Sequence, residues 1–333
     1  MSRVKIVGLV PLLFLVLLAS IIWSVSTGAL PIPFLKTVAT LFGGGDEQTR
    51  MLIFKLRLPR VLVAAMVGAG LAVSGTILQA IFRNPLSAPD IVGINGGASV
   101  AAVAFLTLMK ASVSIHWLPV AAFGGALTAA ALIYILAYTR NSSPLRLILV
   151  GVGISSAASA LTTFLLISGD SYRADQILNW LTGTVYGKSM EHAAALLPWI
   201  VIFIPLAWGM SRHLNVMLLG DTVAMGVGSA VERTRLVLLL IAVCLAASSV
   251  SVAGGIAFIG LMAPHIGRRL AGNQHAGLIT VSALIGAILL VLADLAGRTL
   301  FAPKDLPAGI FTAALGAPFF FYLFFKNNGT SVK

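Results

Sequence analysis

Long apolar stretches without a charged residue recur along the whole chain, and they constrain its fold more than any other feature. Nine such stretches occur, each long enough for a helix to cross a bilayer, which takes about 20 residues. They cover residues 6–25, 61–82, 91–109, 111–139, 147–169, 192–211, 236–267, 276–293 and 306–325. Only 10% of the side chains are charged, against about 25% in an average soluble domain. The pattern therefore predicts an all-α, polytopic membrane protein and excludes an ordinary soluble enzyme.

The first and seventh stretches decide how many spans there are. Arg3 and Lys5 precede the first stretch as in a signal peptide, but it is long for one and further spans follow. We therefore expect a retained first span over about residues 6–25. The stretch 236–267 contains Gly254-Gly255, where a helix can break into two short spans. The pattern leaves nine or ten spans open, within a single transmembrane domain over residues 1–333.

The net charge of +12 is distributed unusually. The basic residues are scattered between apolar stretches and form no basic stripe, so we expect membrane lipid around the chain and no nucleic acid. With an inside N-terminus and ten spans, 12 of the 22 Lys and Arg residues fall in inside loops. The other ten lie outside, which topology alone does not explain.

No sequence pattern indicates a bound cofactor or covalent chemistry. Residues 183–189, Gly-Thr-Val-Tyr-Gly-Lys-Ser, end like a phosphate-binding loop, but three residues separate the glycines where such a loop needs four. The five histidines lack metal-binding spacing and have no companion cysteines. We therefore expect no enzymatic activity, metal or cofactor in this chain. If ATP is used, another chain must bind it.

Asp294 is the single acidic residue near the interior of a span. Arg298 follows it by four residues, which places both side chains on one helix face. Two interpretations remain open: a locally neutralised ion pair at the end of a span, or a proton-relay carboxylate. The second would suit an ion-coupled secondary transporter.

Two polar regions are candidates for lining a pathway. The segment 83–97 holds prolines and glycines that prevent a regular helix through it, so it is either a simple turn or irregular backbone beside a cavity. In the fifth span, Gly151, Ser155, Ser159 and Thr163 recur every four residues. This stripe favours either close helix packing or a polar pore lining.

Two further stretches are candidates for surface contacts. Arg57 and Arg60 open the second span on one helix face, where they either anchor the helix at lipid headgroups or dock carboxylates of an external partner. Residues 218–228 form a short amphipathic stretch that ends at Gly226 and Gly228. It is either a surface helix or a helix that docks into the groove of a cytosolic partner.

Several short motifs occur in order between about residues 50 and 325. They are Leu56-Arg57-Leu58-Pro59-Arg60, Gly75 with Gln79-Ala80, Arg83-Asn84-Pro85-Leu86, Gly93-Ile94-Asn95-Gly96-Gly97-Ala98, Gly254-Gly255-Ile256-Ala257-Phe258-Ile259-Gly260-Leu261, Pro264-His265-Ile266-Gly267-Arg268, Leu306-Pro307-Ala308-Gly309 and Gly316-Ala317-Pro318-Phe319-Phe320. Together they resemble the FecCD-type permeases, the membrane subunits of bacterial ABC importers for iron–siderophores, haem and cobalamin.

This resemblance implies a fold and a set of partners. The fold would have ten spans, with both termini on the cytoplasmic side of the bacterial cytoplasmic membrane. A second permease, either a copy of this chain or a paralogue, would form the pathway with it. Two copies of an ABC ATP-binding subunit would bind below and hold ATP and Mg²⁺, and an extracytoplasmic siderophore-binding protein would bind above.

The resemblance also implies roles for particular residues. Arg57, Arg60 and Arg298 match arginines that dock the binding protein. A coupling segment at about residues 215–232 would contact the ATPase, and the pathway and its gate would be polar. The coupling residues are Leu219, Gly220, Asp221, Thr222, Ala224, Met225 and Gly226; the pathway and gate residues are Asn84, Pro85, Leu86, Asn141, Ser142, Ser143, Ser155, Ser159 and Thr163.

The cargo is the least determined part of this interpretation. Pro144 follows the gate residues, which departs from the family pattern at that point. The segment Gly93–Ala98 is more similar to siderophore members than to the cobalamin importer. We therefore expect inward transport of an Fe(III)–siderophore by alternating access, with cobalamin or haem as the alternative cargo.

Overall fold

The computed structural model describes residues 3–28, 30–90, 93–109, 113–137, 144–169 and 173–328. The predicted gate residues Asn141, Ser142 and Ser143 lie outside these ranges. The described part is helical and contains no β-strand. Its helices are α1 Arg3–Ser26, α2 Phe34–Leu41, α3 Glu47–Met51, α4 Leu58–Ile81, α5 Ile94–Leu108, α6 Leu118–Ala137, α7 Pro144–Ser168, α8 Ala174–Thr182, α9 Met190–Gly209, α10 Ser211–Met217, α11 Asp221–Gly226, α12 Val231–Ala253, α13 Ile259–Ala271, α14 His275–Thr299 and α15 Ala308–Asn328. The predicted all-α fold is confirmed.

Seven of the described helical segments are long and apolar enough to cross a membrane. They are Val7–Ser26, Glu47–Ile81, Ile115–Ala137, Arg146–Ser168, Met190–Gly209, Val231–Ala253 and His275–Thr299. The second combines α3, a π-helical turn over Leu52–Arg57, and α4. Two shorter apolar helices, Ile94–Leu108 and Ala308–Leu323, and the 13-residue α13 stand where the remaining spans are predicted. The count of ten spans stays a prediction.

The long apolar stretch 236–267 is interrupted at its glycine pair, as the sequence indicates. Helix α12 ends at Ala253, and α13 begins at Ile259. Gly254 has a φ of 75°, in the left-handed region that favours glycine. The backbone N–H of Thr184 donates to the Ala253 carbonyl at 2.7 Å, which covers this break with the connection after α8. Irregular backbone inside a membrane protein needs such partners.

Helix α4 lies at the centre of the protein and is buried on almost all sides, in contact with α12, α13 and α14. Glycines permit the closest approaches. A Cβ atom added to Gly68 would overlap the carbonyl oxygen of Gly286, and one added to Gly75 would overlap that of Gly260. Small residues at such crossings let helix backbones touch, which is a main source of helix association in membranes.

Candidate functional site

A cavity with a volume of about 700 Å³ lies among α5, α7, α8, α13 and α15. Its lining consists mainly of small and polar residues, with two phenylalanines, two leucines and one carboxylate. The lining residues are Ala88, Asp90, Asn95, Gly96, Ser99, Ser155, Ser159, Thr162, Thr163, Leu181, Gly255, Ala257, Phe258, Leu261 and Phe320. We call this space the central cavity. The break between α12 and α13 contributes its irregular backbone to the wall.

The predicted polar stripe of the fifth span lies on α7 and lines the central cavity with Ser155, Ser159 and Thr163. The same stripe also packs against α5. A Cβ atom added to Gly93 would lie 3.4 Å from the Ser155 hydroxyl oxygen and 3.5 Å from the Gly151 carbonyl oxygen. One part of the stripe therefore lines the cavity and another packs near the start of α5, and its role as a pore lining stays a prediction.

The connection between α4 and α5 divides between two cavities. Asn84 and Pro85 line a second cavity of about 320 Å³, together with Arg83 and Arg268. The backbone N–H of Leu86 donates to the Asn84 side-chain oxygen at 2.9 Å, which fixes a turn; Leu86 lines neither of these two cavities. Only the later part of the connection, from Ala88 to Asp90, reaches the central cavity. The predicted pathway residues therefore lie in separate places.

Asp90 is a cavity residue that sequence reasoning missed. Its carboxylate accepts a hydrogen bond from the Asn95 side-chain amide and another from the backbone N–H of Phe258. Phe258 precedes α13 and has a φ of 67°, which is uncommon for a residue with a side chain. Asp90 thus joins the segment between α4 and α5 to the break before α13. Its place between Pro89 and the glycines of the next segment is the sequence signal that was available.

Arg57, Arg60 and Arg298 lie together at one end of the molecule, which we call the arginine end. Arg60 is only 8% exposed and is bonded to two carboxylates. Its Nε and Nη2 donate to Asp294 Oδ1 at 2.9 and 2.7 Å, and its Nη1 donates to Asp305 Oδ2 at 2.6 Å. The Asp294 carboxylate is 3.8 Å from Arg298 Nε. The interpretation of Asp294 as a neutralised group is thus supported, but its shortest ion pair is with Arg60 rather than with its neighbour on α14.

The other two arginines of this end hold the C-terminal end of α1. Arg57 Nη1 donates to the carbonyl oxygens of Val25 and Ser26 at 2.9 and 3.1 Å. Arg298 Nη1 donates to the Thr27 carbonyl oxygen at 2.8 Å, and its Nη2 donates to the Ser24 hydroxyl at 2.6 Å. All three arginines therefore have partners inside the chain. A docking role requires that a partner's carboxylates exchange with these internal contacts.

The coupling segment lies at the opposite end, where it is tethered by ion pairs. Arg235, which is 2% exposed, donates to Asp221 Oδ2 at 2.7 Å and to Glu232 Oε1 at 2.8 Å. A longer pair joins Arg83 to Asp221 at 3.6 Å. Because Asp221 begins α11, these contacts fix the start of that short helix against α12 and the end of α4.

Most side chains of the coupling segment face outward. Ala224 is fully buried and seats α11 on the protein, whereas Leu219 is 62% and Met225 is 60% exposed. Thr222 and Gly226 are exposed as well, and Gly220 bounds the helix with a φ of 95°. The exposed large apolar side chains are Leu218, Leu219, Val223, Met225 and Val227. Such a concentration on a short tethered helix is typical of a protein-binding surface.

The two ends are joined by the same central helices. Helix α4 starts beside Arg57 and Arg60 and has 24 residues, so it places Arg83 about 35 Å from them. Helix α14 likewise runs from His275, which bonds to Asn215 of α10, to Asp294 and Arg298. The predicted docking and coupling residues are therefore brought to opposite ends of one helical core.

The described residues contain no group of three or more metal-ligating side chains. Residues 183–189 follow α8 and no strand, so they lack the setting of a phosphate-binding loop.

Comparison with known proteins identifies the family. A model of the FecCD transport family matches residues 15–326. The chain belongs to this family. The prediction from the ordered motifs is confirmed, and the protein is a permease, a multi-pass membrane subunit of the ABC transporter class, rather than an enzyme.

Full-length relatives support this assignment. The iron(3+)-hydroxamate import system permease protein FhuG of Bacillus subtilis (strain 168) is 43% identical over 95% of this chain and 96% of its own length. The achromobactin transport system permease protein CbrC of Dickeya dadantii (strain 3937) is 45% identical over 96% of this chain and 92% of its own length. A solved structure, described as an inward-facing conformation of a metal-chelate type ABC transporter, matches with a TM-score of 0.86 and 29% identity. The match covers 96% of this chain and 99% of that one.

Proposed function

We propose that this FecCD-family permease moves an Fe(III)–siderophore inward across the bacterial cytoplasmic membrane by alternating access. The observation that carries the proposal is the arrangement of two distinct ends and one cavity in the same helical core. The arginine end and the coupling segment lie at opposite ends of α4 and α14, and the central cavity lies within the same fold. Relatives named for iron(3+)-hydroxamate import and for achromobactin transport support the cargo class.

The coupling segment is the proposed contact for the ATPase. Two copies of an ABC ATP-binding subunit, one for each permease of the dimer, would hold ATP and Mg²⁺ and bind the exposed apolar face of α11. Because Asp221 ties α11 to the start of α12 and to Arg83 at the end of α4, movement of the ATPase reaches the core helices directly. This requires the coupling segment, with both chain termini, to lie in the cytoplasm.

The arginine end is the proposed contact for the extracytoplasmic siderophore-binding protein. Arg57, Arg60 and Arg298 are arranged in one cluster, which suits carboxylates on a single partner. Their contacts to the end of α1 and to Asp294 and Asp305 must rearrange when that partner binds. The affinity of docking is then the difference between the new and the internal contacts.

The central cavity requires a second permease to become a closed pathway. Ser159 and Thr163 of α7 are exposed in the single chain, and so are the large apolar Phe164 and Ile167 of the same helix. A second permease, identical to this chain or a paralogue, would cover this face. The gate at Asn141, Ser142 and Ser143 stays a prediction.

A proton- or ion-coupled secondary transporter is disfavoured by the position of Asp294. This carboxylate is 1% exposed and is bonded to Arg60, so it has no free face for a coupling ion. Within the family, a cobalamin permease of Halobacterium salinarum is 41% identical over 303 residues. Cobalamin or haem is therefore the alternative cargo.

Reconstitution tests the proposal. The permease, its ATP-binding subunit and its binding protein are placed in liposomes, and uptake of a radiolabelled ferric trihydroxamate is followed. We expect uptake only with ATP and binding protein present, and none with a hydrolysis-deficient ATPase. Uptake driven by an ion gradient without nucleotide would overturn the mechanism, and uptake of cobalamin or haem instead would overturn the cargo.

A further inference from the structure

The central cavity has one charged side chain among its lining residues, that of Asp90. The remaining described lining is neutral and consists of hydroxyl, amide, small, leucine and phenylalanine side chains. Asp90 is partly buried and lies on the wall formed by the α4–α5 connection. This carboxylate is therefore the charge that a cargo in the cavity meets on the described wall.

No described basic group neutralises Asp90. Among the residues that the structure describes, no Lys, Arg or His nitrogen lies within 4.0 Å of its carboxylate oxygens. Its two hydrogen bonds come from neutral donors, the Asn95 amide and the Phe258 backbone N–H. These donors hold the carboxylate in place but add no positive charge. The arginines at the two ends of the molecule are occupied by other carboxylates or by backbone oxygens.

Other cavity residues hold oxygen atoms without a partner. Asn95 Oδ1, Ser155 Oγ and Thr162 Oγ1 are buried and have no hydrogen-bond partner in the described chain. The Asn95 amide nitrogen is used by Asp90, so this side chain has only its acceptor oxygen left. Buried polar atoms are normally satisfied, and an unsatisfied group is expected to meet a ligand or water. This wall of the cavity therefore offers a ligand one acceptor-only oxygen, Asn95 Oδ1, and two hydroxyls that can either donate or accept.

We propose that Asp90 makes the central cavity a subsite for neutral or positively charged ferric chelates that carry N–H or O–H donors, and that it excludes strongly anionic chelates. The inference rests on the proposed function and extends it to the class of cargo. A carboxylate on the wall of a protein cavity attracts cations and repels anions more strongly than it does in bulk water. An N–H or O–H donor on the cargo also satisfies Asn95 Oδ1, which a further carboxylate leaves unpaired, whereas the Ser155 and Thr162 hydroxyls can pair with either.

Thiol labelling measures the electrostatic potential in the cavity directly. In a Cys244→Ala background, Ser159→Cys places a single thiol in the cavity, in the full chain assembled with its ATPase. Its rates of reaction with a cationic and an anionic methanethiosulfonate of similar size are divided by those of a small thiol in solution. We expect a preference for the cationic reagent of roughly tenfold or more, as one charge at about 10 Å produces. A thiol that reacts equally fast with both reagents, or with neither, overturns the proposal.

The substitution Asp90→Asn assigns the preference to this residue. Asparagine keeps an acceptor oxygen for the Phe258 N–H, so the fold before α13 is retained while the charge is removed. We expect the cation preference to fall to that of the small thiol. Glu191→Gln, which removes an exposed acid of α9, is the matched control and should leave the ratio unchanged. An unchanged ratio in Asp90→Asn contradicts the assignment.

Protection of the thiol introduced by Ser159→Cys tests the cargo class without transport. A neutral ferric trihydroxamate should slow the labelling at a lower concentration than ferric dicitrate, and Asp90→Asn should reduce that difference several-fold. Stronger protection by dicitrate in the protein that keeps Asp90 would overturn the inference. If reconstituted transporter moves no iron chelate while the charge preference is present, the proposed function fails and the chemistry of the cavity stands.

Discussion

The two ends of the helical core differ in how their charged side chains are placed. At the arginine end, three guanidinium groups are buried or half-buried, and their described hydrogen-bond partners are carboxylates, carbonyls and one hydroxyl of the same chain. At the coupling end, the ion pairs of Asp221 lie beneath exposed apolar side chains of α11. The charges of the arginine end are therefore paired within the chain, whereas the coupling end presents exposed apolar side chains.

The difference teaches that charge alone is a poor guide to a docking surface. A buried arginine that already has partners gains affinity for a new carboxylate only by exchange. An exposed apolar side chain needs no exchange, since covering it removes apolar area from water. We therefore expect the coupling end to bind its partner with little rearrangement and the arginine end to rearrange on binding.

The largest expected effect comes from removing the Asp294 carboxylate at the arginine end. Asp294→Ala leaves Arg60 and Arg298 buried with less counter-charge, and we expect a loss of about 3–5 kcal/mol in the free energy of unfolding. Thermal and denaturant unfolding of the purified chain in detergent measures it. Asp175→Ala, at an exposed acid of α8, is the control and should have little effect. Replacing the Asp294–Arg60 ion pair with apolar residues, by Asp294→Leu with Arg60→Met, should recover part of the loss. If Asp294→Ala is as stable as the unsubstituted chain, this ion-pair network does not stabilise the arginine end.

The exposed face of the coupling end is expected to give the next largest effect. Val223→Asp with Met225→Asp should weaken binding of the ATP-binding subunit by about 2 kcal/mol, roughly 30-fold, while the fold is retained. Equilibrium binding of the purified subunit to the permease in nanodiscs gives the affinity. Phe42→Asp, at an apolar position elsewhere that is still more exposed, serves as the control. Unchanged affinity would show that the ATPase binds another surface.

The ion pairs of Asp221, which hold α11 against the protein, are expected to have a smaller effect. Asp221→Asn removes the charge that pairs with Arg235 and Arg83, and we expect a local loss of about 1 kcal/mol because Asp221 is partly exposed. Hydrogen exchange should become several-fold faster at residues 221–227 and stay unchanged in α4. Uniform protection across both would mean that α11 is held by Ala224 alone.

The smallest expected effect concerns the contact between Arg60 and Tyr186 at the arginine end. The Arg60 guanidinium carbon lies 5.5 Å from the centre of the Tyr186 ring. Tyr186→Leu should therefore reduce the free energy of unfolding by about 0.5–1 kcal/mol, and Tyr186→Phe, which keeps the ring, should reduce it less. An equal loss in both variants would assign the effect to the hydroxyl instead.

Sequence reasoning found those features that depend on neighbouring residues. The apolar stretches, the break after Ala253 and the polar stripe of α7 all follow from local composition and spacing, and the structure contains each of them. The ordered motifs were sufficient to identify the family.

Features that depend on distant residues were not accessible in this way. The spacing of Asp294 and Arg298 indicated a local pair, but the shortest ion pair of Asp294 is with Arg60, 234 residues away. Asp305 and Asp90 gained their meaning only through contacts with Arg60 and Phe258. No periodic pattern reports such contacts, because they arise from how the helices are arranged.

The glycine contacts of α4 have a mechanical consequence. Where Gly68 meets Gly286 and Gly75 meets Gly260, main chain lies directly on main chain, and no side chain is available to yield. Sliding or rotating one of these helices against another would bring a neighbouring Cβ onto a carbonyl oxygen. Helices α4, α13 and α14 therefore form a rigid spine, and changes in the width of the cavity fall to the helices that border it from the other side.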